Sequence, residues 1–396
     1  MSTERIRVVQ IVQHTSLGGA TLLAMLLAQR LDPERYEVIL AAGPQAGPEG
    51  SLKAEMEAQG LHVHTIPDMV RLPHPSRDHR AIRQLRDLFR DFKPHVVHTH
   101  GAKAKLLVPW AADQAPVPVR VAHIHVWEWH AAHNWLERAA YVGAARLRAG
   151  SYQAIVTTSD ALRRQGLAKK VGRPEQYAVI RPAIELQAFA PATAEQRAGM
   201  RRELGLPPDD FVVISVSRLS KQKAPADLIE AAGLMIAQRP GTQFLIVGSG
   251  PLAAEISALI EAKGLHERVK LLGIRRDIPR LLHAGDAFAL SSHWEPLGMV
   301  YLEAAASGLA CVGTDVDGAG EAVIEGVTGT LVPPRAPAQL AEALLKLAAE
   351  AALRERQGRA GVAHAQGFSE EHYLHNVDAL YQRLLRGEGV VEGEKG

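Results

Sequence analysis

Short runs of β-branched and aliphatic residues recur along the chain, separated by stretches in which an apolar position returns every three or four residues. The runs RVVQIVQ, YEVILAAG, HVHTIP, HVVHTH, VRVAHIHV, AIVTTS and YAVIRPAI occupy the first 185 residues. Helical periodicity fills intervals between them at residues 20–31, 52–59, 78–92 and 135–148. Parallel neighbours need a long connection that packs back on the sheet, so this alternation predicts a parallel, doubly wound sheet. Over residues 186–208 the pattern lapses into a polar stretch rich in Pro and Ala. It restarts with FVVISVSRL, TQFLIVGSG, VKLLG, AFALSS, ACVGTDV and GTLVPP. The expectation is an α/β chain with two Rossmann-like domains, residues 1–185 and 209–368, joined by a linker and facing a cleft. SEEHYLHNVDALYQRLL, opened by Ser369, reads as a terminal helix within residues 369–396, and the closing GEGVVEGEKG as a frayed end.

Composition agrees with that picture. A chain of 396 residues exceeds one ordinary core, so each half is expected to bury its own. The single cysteine, Cys311, excludes an intramolecular disulfide and a cysteine-built zinc site. No signal peptide or run of about 18 apolar residues is visible, which makes the cytoplasm the expected location. Charge divides the halves: residues 1–185 hold 24 Lys+Arg against 17 Asp+Glu, the remainder 21 against 26. The basic half fits anionic lipid headgroups or phosphorylated acceptors, and it lacks the aromatic interleaving of a nucleic-acid surface. Helix 78–93 carries Ile82, Leu85, Leu88, Phe89 and Phe92 on one stripe, with arginines elsewhere. Such a stripe is either a core face or a contact with the inner face of an anionic membrane.

In open α/β sheets ligands bind beyond the carboxyl ends of the strands, so candidate chemistry is sought in the following loops. SHWEPLGMVYLEAAASG holds Glu295 and Glu303 around a Pro-Leu-Gly entry. Pro296 suits a first helical turn, and the amides of Gly298, Met299 and Val300 would be free to meet a diphosphate. Taken alone, the two acids better suit a capped surface helix with solvated carboxylates. SVSRLSKQKAP places Arg218 and Lys223 after a strand, where two cations can neutralise a leaving diphosphate or merely be solvated. LIVGSGPLAAE offers Gly248 and Gly250 but lacks the third glycine of a dinucleotide fingerprint. HTSLGGATL offers Gly18 and Gly19 for close backbone approach, or for a plain turn. Twelve of the eighteen histidines lie in the N-terminal half. His62/His64, His98/His100 and His123/His125 each share a strand face, a spacing that serves metal chelation or ordinary polar contacts. No acid accompanies them at ligand spacing, and no metal is expected. Asp315-Val316-Asp317 is treated with the same caution.

These features occur in an order that resembles the retaining GT-B glycosyltransferases of family 4, particularly bacterial enzymes of exopolysaccharide and capsule assembly. The resemblance spans nearly the whole chain. It is most specific over residues 291–332, which are similar to the family's E-x7-E region. VSRLSKQKAP, VGSGPLAAE, LGGA and VRVAHIHVWEWH resemble further family stretches. The resemblance implies that Arg218 and Lys223 hold the nucleotide diphosphate and Glu303 the ribose. It implies that Glu295 meets the donor sugar, and that amides from Leu297 through Gly298, Met299 and Val300 meet phosphate and sugar. Ile274 would face the base, while Gly19 and Gly248 would form donor-side glycine loops. His125 would position the transferred sugar. Val126, Trp127 and Trp129 depart from the family's small residues, and the acceptor side is expected to be reshaped there. Thr21 and Arg181-Pro182-Ala183 are further departures on the acceptor side.

The implied activity is transfer of a hexose or N-acetylhexosamine, with retention, from a nucleoside diphosphate sugar to an acceptor hydroxyl in polysaccharide or glycolipid synthesis. The expected donor is a UDP-sugar, no cofactor or metal is needed, and a glycan or lipid-linked acceptor is the partner. A nucleotide-sugar epimerase and a non-catalytic sugar-nucleotide-binding partner are the rivals. Lys223→Ala is expected to lose turnover with the fold unchanged.

Overall fold

The computed structural model describes residues 4–16, 18–44, 51–70, 72–130, 132 and 134–390. The chain divides into two compact units, residues 1–182 with 371–396, and residues 183–370. The last residues of the expected frayed end, 391–396, lie outside the described residues.

In the first unit the strands are β1 (Ile6–Val12), β2 (Tyr36–Ala42), β3 (Val63–Thr65), β4 (Val96–His100), β5 (Val119–Ile124), β6 (Ala154–Thr157) and β7 (Tyr177–Val179). Helices α1 (Gly19–Arg30), α2 (Lys53–Ala58), α3 (Pro75–Phe92), α4 (Ala102–Ala112), α5 (Trp135–Ala149) and α6 (Asp160–Ala168) connect them. Among the described residues the sheet order is β3-β2-β1-β4-β5-β6-β7, all parallel. Val8, Val9, Val96, Val97 and Val121 are fully buried, as strands covered on both faces require. Helix α4 gave no signal in the sequence reading, because Pro109 sits inside it and interrupts the expected periodicity. Asn134 and Ser159 accept from backbone amides at the starts of α5 and α6, satisfying donors that a helix start leaves open.

The second unit holds α7 (Ala194–Glu203), β8 (Phe211–Val216), α8 (Pro225–Gln238), β9 (Thr242–Val247), α9 (Ala253–Ala262) and β10 (Val269–Gly273). It continues with α10 (Ile278–Leu282), β11 (Ala287–Ala289), α11 (Met299–Ala306), β12 (Ala310–Thr314) and α12 (Ala319–Ala322). It ends with β13 (Gly329–Val332), α13 (Pro337–Ala349) and α14 (Ala351–Ala365). The sheet order is β10-β9-β8-β11-β12-β13, again parallel.

Residues 186–208 are not a bare linker. A capping box between Thr193 and Gln196 starts α7, and Met200 and Leu206 join the core of the second unit. The Pro- and Ala-rich composition hid this; Arg201 is buried yet satisfied, pairing with Asp286 at 2.6 Å and donating to the Ala284, Pro208 and Asp210 carbonyls. The terminal helix, α15 (Glu370–Leu385), belongs to the first unit rather than standing as a separate tail. Tyr36 and Arg35 hold its Asp378, and Tyr373, Val377 and Tyr381 are buried.

Candidate functional site

In the second unit, strand order reverses between the neighbours β8 and β11. Connections leave such a switch point toward opposite faces and open a crevice at the carboxyl ends. The β8 loop carries Arg218 and Lys223, and the β11 loop carries Glu295. Backbone and side chains tie the loops together. The His293 amide donates to the Gln222 carbonyl at 2.8 Å, and Ser291 Oγ donates to the Ala224 carbonyl at 2.8 Å. His293 Nε2 meets Asp227 at 3.0 Å.

Lys223 Nζ and the Glu295 carboxylate form an ion pair between these loops. Ser292 Oγ donates to the same carboxylate oxygen at 3.1 Å. The two charged side chains are only 15% and 6% exposed, so each offsets a charge that is largely withdrawn from water. The Glu295 main chain is fixed independently: its amide donates to Asp317 Oδ2 at 3.1 Å and its carbonyl accepts from Gly318 at 2.9 Å. Asp317 is thereby a brace for the β11 loop, a role that its D-x-D spacing did not disclose.

Helix α11 begins at Met299, with Gly298 at the N-cap, so Pro296 precedes the first turn and does not occupy it. Gly298 has φ 88°, and a Cβ there would lie 2.6 Å from the Tyr301 ring. Glycine is thus required by the turn itself. Leu297 is buried, and the amides of Met299 and Val300 lie in the first turn, where a helix supplies no acceptor and its dipole favours an anion. One turn further, Glu303 is half-buried and its carboxylate engages no described residue. Burial lifts it to about pKa 7.

Gly248 follows β9 at φ 127°, where a Cβ would sit 2.0 Å from the Ser217 carbonyl oxygen. That close approach lets Leu219 exchange backbone hydrogen bonds with Ser249 and Leu252, both at 3.0 Å. Arg218 is exposed on the same loop, and Ile274 is 63% exposed just after β10. Arg218, Lys223, Gly248, Ile274, Glu295 and Gly298 thus all follow carboxyl ends of one sheet, with Glu303 on the helix behind.

Gly19 and His125 lie in the first unit. Gly19 opens α1, and a Cβ at Gly18 would meet nothing within 4 Å, so glycine is not sterically demanded at position 18. The His62/His64 pair is on β3 at the far edge of the sheet, whereas β4 and β5 bring the other two pairs together. His98, His100, His123 and His125 form a ladder of rings. Centroids are 4.5 Å apart for His98/His100, 5.2 Å for His98/His123 and 4.2 Å for His123/His125. Burial holds all four well below the usual histidine range. Ring nitrogens of His98, His100 and His123 lie within 4.8 Å of one another. The His98 and His123 rings are nearly parallel, 8° apart, so their in-plane lone pairs do not meet at a point as metal ligation requires.

Trp127 and Trp129 do not reshape a binding face. Both are buried, stacked 4.4 Å apart, and Trp127 Nε1 donates to the Leu162 carbonyl at 2.8 Å. The apolar stripe of α3 likewise faces inward: Leu85, Leu88 and Phe89 pack in a core cluster with α4. Its exposed side carries Arg80, Arg83 and Arg90 with Asp87 and Asp91, and Arg77 and Arg80 pair with Asp68.

Two doubly wound parallel sheets followed by a helix that returns to the first unit define the GT-B class. Residues 196–364 match the domain described as glycosyl transferases group 1, and residues 18–183 match the glycosyl transferase 4-like domain. The chain belongs to this glycosyltransferase family. It is 26% identical over 318 residues to the UDP-Gal:alpha-D-GlcNAc-diphosphoundecaprenol alpha-1,3-galactosyltransferase of Escherichia coli, covering 79% of this chain and 80% of that one. It is 34% identical over 220 residues to the D-inositol 3-phosphate glycosyltransferase of Segniliparus rotundus, covering 54% of this chain and 48% of that one. It therefore spans about half the length of that second relative. The crystal structure of Anabaena HepE in complex with UDP and glucose superposes with a TM-score of 0.82 at 23% identity, covering 96% of this chain and all of that one. Among the described residues no helix is long and apolar enough to cross a membrane.

Proposed function

We propose that this glycosyltransferase moves a hexose or N-acetylhexosamine from a UDP-sugar to a glycan or lipid-linked acceptor hydroxyl, with retention. The observation that carries the reading is the buried Lys223–Glu295 pair at the strand switch point, beside the open start of α11. Lys223 and Arg218 would meet the diphosphate, and the amides of Gly298, Met299 and Val300 would add fixed donors where negative charge grows on the leaving group. Glu295 would then turn from Lys223 to the sugar hydroxyls. Glu303, lacking any partner, is available to accept from the ribose, and Ile274 offers exposed apolar area to the base. Gly248 shapes the donor loop, Gly19 opens the acceptor unit, and His125 positions the transferred sugar. No side chain need act as general base if the leaving phosphate takes the acceptor proton. The exposed arginines of α3 would hold the protein weakly at the inner, anionic membrane face, by charge alone.

Two features support the donor and acceptor classes: UDP and glucose in the HepE complex, and UDP-Gal with GlcNAc-diphosphoundecaprenol in the name of the Escherichia coli relative. The test is a transfer assay with labelled UDP-glucose, UDP-galactose, UDP-N-acetylglucosamine and GDP-mannose, using a bacterial membrane extract as acceptor. Label reaching lipid or glycan from a UDP-sugar is expected. Release of free UDP with an altered sugar would instead identify an epimerase, and binding without turnover a non-catalytic partner. For the membrane contact, co-sedimentation with anionic vesicles at low salt and release at high salt is expected.

A further inference from the structure

Gln10, His98, His100 and Tyr381 take no part in the reading above, yet all are buried and joined in one line. On the sheet, Gln10 of β1 stands in register beside His98 of β4, and Tyr381 of α15 reaches both. Gln10 Nε2 donates to the Tyr381 hydroxyl at 3.0 Å. Gln10 Oε1 lies 3.0 Å from His100 Nε2, and His100 Nδ1 lies 3.0 Å from His125 Nε2.

Each link needs one donor and one acceptor, and burial prevents bulk water from substituting. An amide oxygen only accepts, so the His100 proton is on Nε2. A neutral imidazole carries a single N–H, which leaves His100 Nδ1 as a bare lone pair. A donor must meet that lone pair, and this places the His125 proton on Nε2. At the other end, Tyr381 receives from Gln10 and gives its own proton to His98 Nδ1 at 2.6 Å. Burial keeps these rings neutral, His100 at about pKa 3.

We propose that Tyr381, Gln10 and His100 are positioning residues that fix His125 as the Nε2–H tautomer, leaving Nδ1 to accept from a hydroxyl of the transferred sugar. No described residue engages that Nδ1. The opposite tautomer would present an N–H there and reject the same hydroxyl as a donor. The inference rests on the reading of His125 as the sugar-positioning residue. Through it, the last helix of the chain sets the hydrogen-bonding character of a loop that follows β5.

The test uses the full-length protein labelled with 15N-histidine, with long-range proton–nitrogen NMR reporting which ring nitrogen of His125 is protonated. His125→Ala assigns the signals. Wild type is expected to carry the proton on Nε2. Tyr381→Phe and Gln10→Met preserve volume and are expected to give mixed tautomers, with kcat for transfer from UDP-glucose reduced about tenfold or more and its KM changed less than about twofold. A wild-type proton on Nδ1, or a tautomer unchanged in both Tyr381→Phe and Gln10→Met, overturns the proposal. Full turnover in His125→Ala would instead remove the sugar-positioning role, an outcome that the NMR result does not depend on.

Discussion

The two units share one architecture, and the sites drawn from them bury polar groups at the strand ends in different ways. The second unit keeps its charges and pairs them, Lys223 with Glu295 and Arg201 with Asp286. The first unit also pairs charge, Lys103 with Asp78 at 2.8 Å, but on and just after β4 and β5 it stacks four neutral histidines, of which His98 and His123 retain ring nitrogens without a partner among the described residues. A charged group in a low-dielectric place must either find a counter-ion or lose its charge. The paired solution leaves a centre whose counter-ion a phosphate can replace. The neutral solution leaves a rigid, uncharged surface whose donors and acceptors are set by tautomers.

The largest expected effect strikes the paired solution. Lys223→Ala should lower transfer from UDP-glucose about a hundredfold or more. Unlike the expectation from sequence alone, it should also destabilise the fold, by about 3 kcal/mol, because Glu295 is left buried with only Ser292. Adding Glu295→Gln should recover most of that stability without recovering turnover. Denaturant titration beside the transfer assay decides, and a stable, active Lys223→Ala removes the pair from the site.

Glu303 sharpens the comparison, since it is an acid of the second unit with no counter-ion. Its folded form retains a proton that the unfolded chain loses near pH 4.5, so stability falls as pH rises through about 7. If the ionised carboxylate accepts from ribose, UDP-glucose affinity should rise about tenfold from pH 6 to pH 8, and Glu303→Gln should abolish the rise. Calorimetric titration at both pH values measures it; a flat wild-type profile would take the ribose away from Glu303.

For the neutral solution the sign reverses with the chemistry. The unfolded histidines bind protons near pH 6.5 while the folded ladder binds them only at lower pH, so stability is lost as pH falls below about 6.5. His123→Phe removes two buried nitrogens that lack partners. It should shallow the acid slope of Tm and change stability at neutral pH by no more than about 1 kcal/mol. An acid slope as steep as wild type would show that the ladder is not its source. The smallest effect is expected from Ile274→Ser, two- to threefold in UDP affinity with stability unchanged within about 0.5 kcal/mol, because the side chain is mostly exposed.

Much of the fold was legible in the residues. Strands such as VVHTH and FVVISV carry β-branched runs, and the glycine-opened turn at Gly298 and the Arg218/Lys223 loop are local in sequence. Helix α4 and the packed segment at α7 escaped, because Pro109 interrupts the first and the second lies in a polar stretch bounded by Pro191 and Pro207 with few apolar positions. That Trp127 and Trp129 turn into the core was not legible, since an aromatic pair after a strand does not show which way it turns.

By itself the sequence determined the doubly wound class, the order of the loops and the residue types that each loop brings. Only the tertiary structure decided the partnerships. Lys223 and Glu295 are 72 residues apart and meet because β8 and β11 are neighbours. Gln10 and Tyr381 are 371 residues apart and meet because α15 returns to the first sheet. Strand order and the return of a terminal helix depend on packing over long separations, and no local pattern of residues encodes which distant side chain will satisfy a buried polar group.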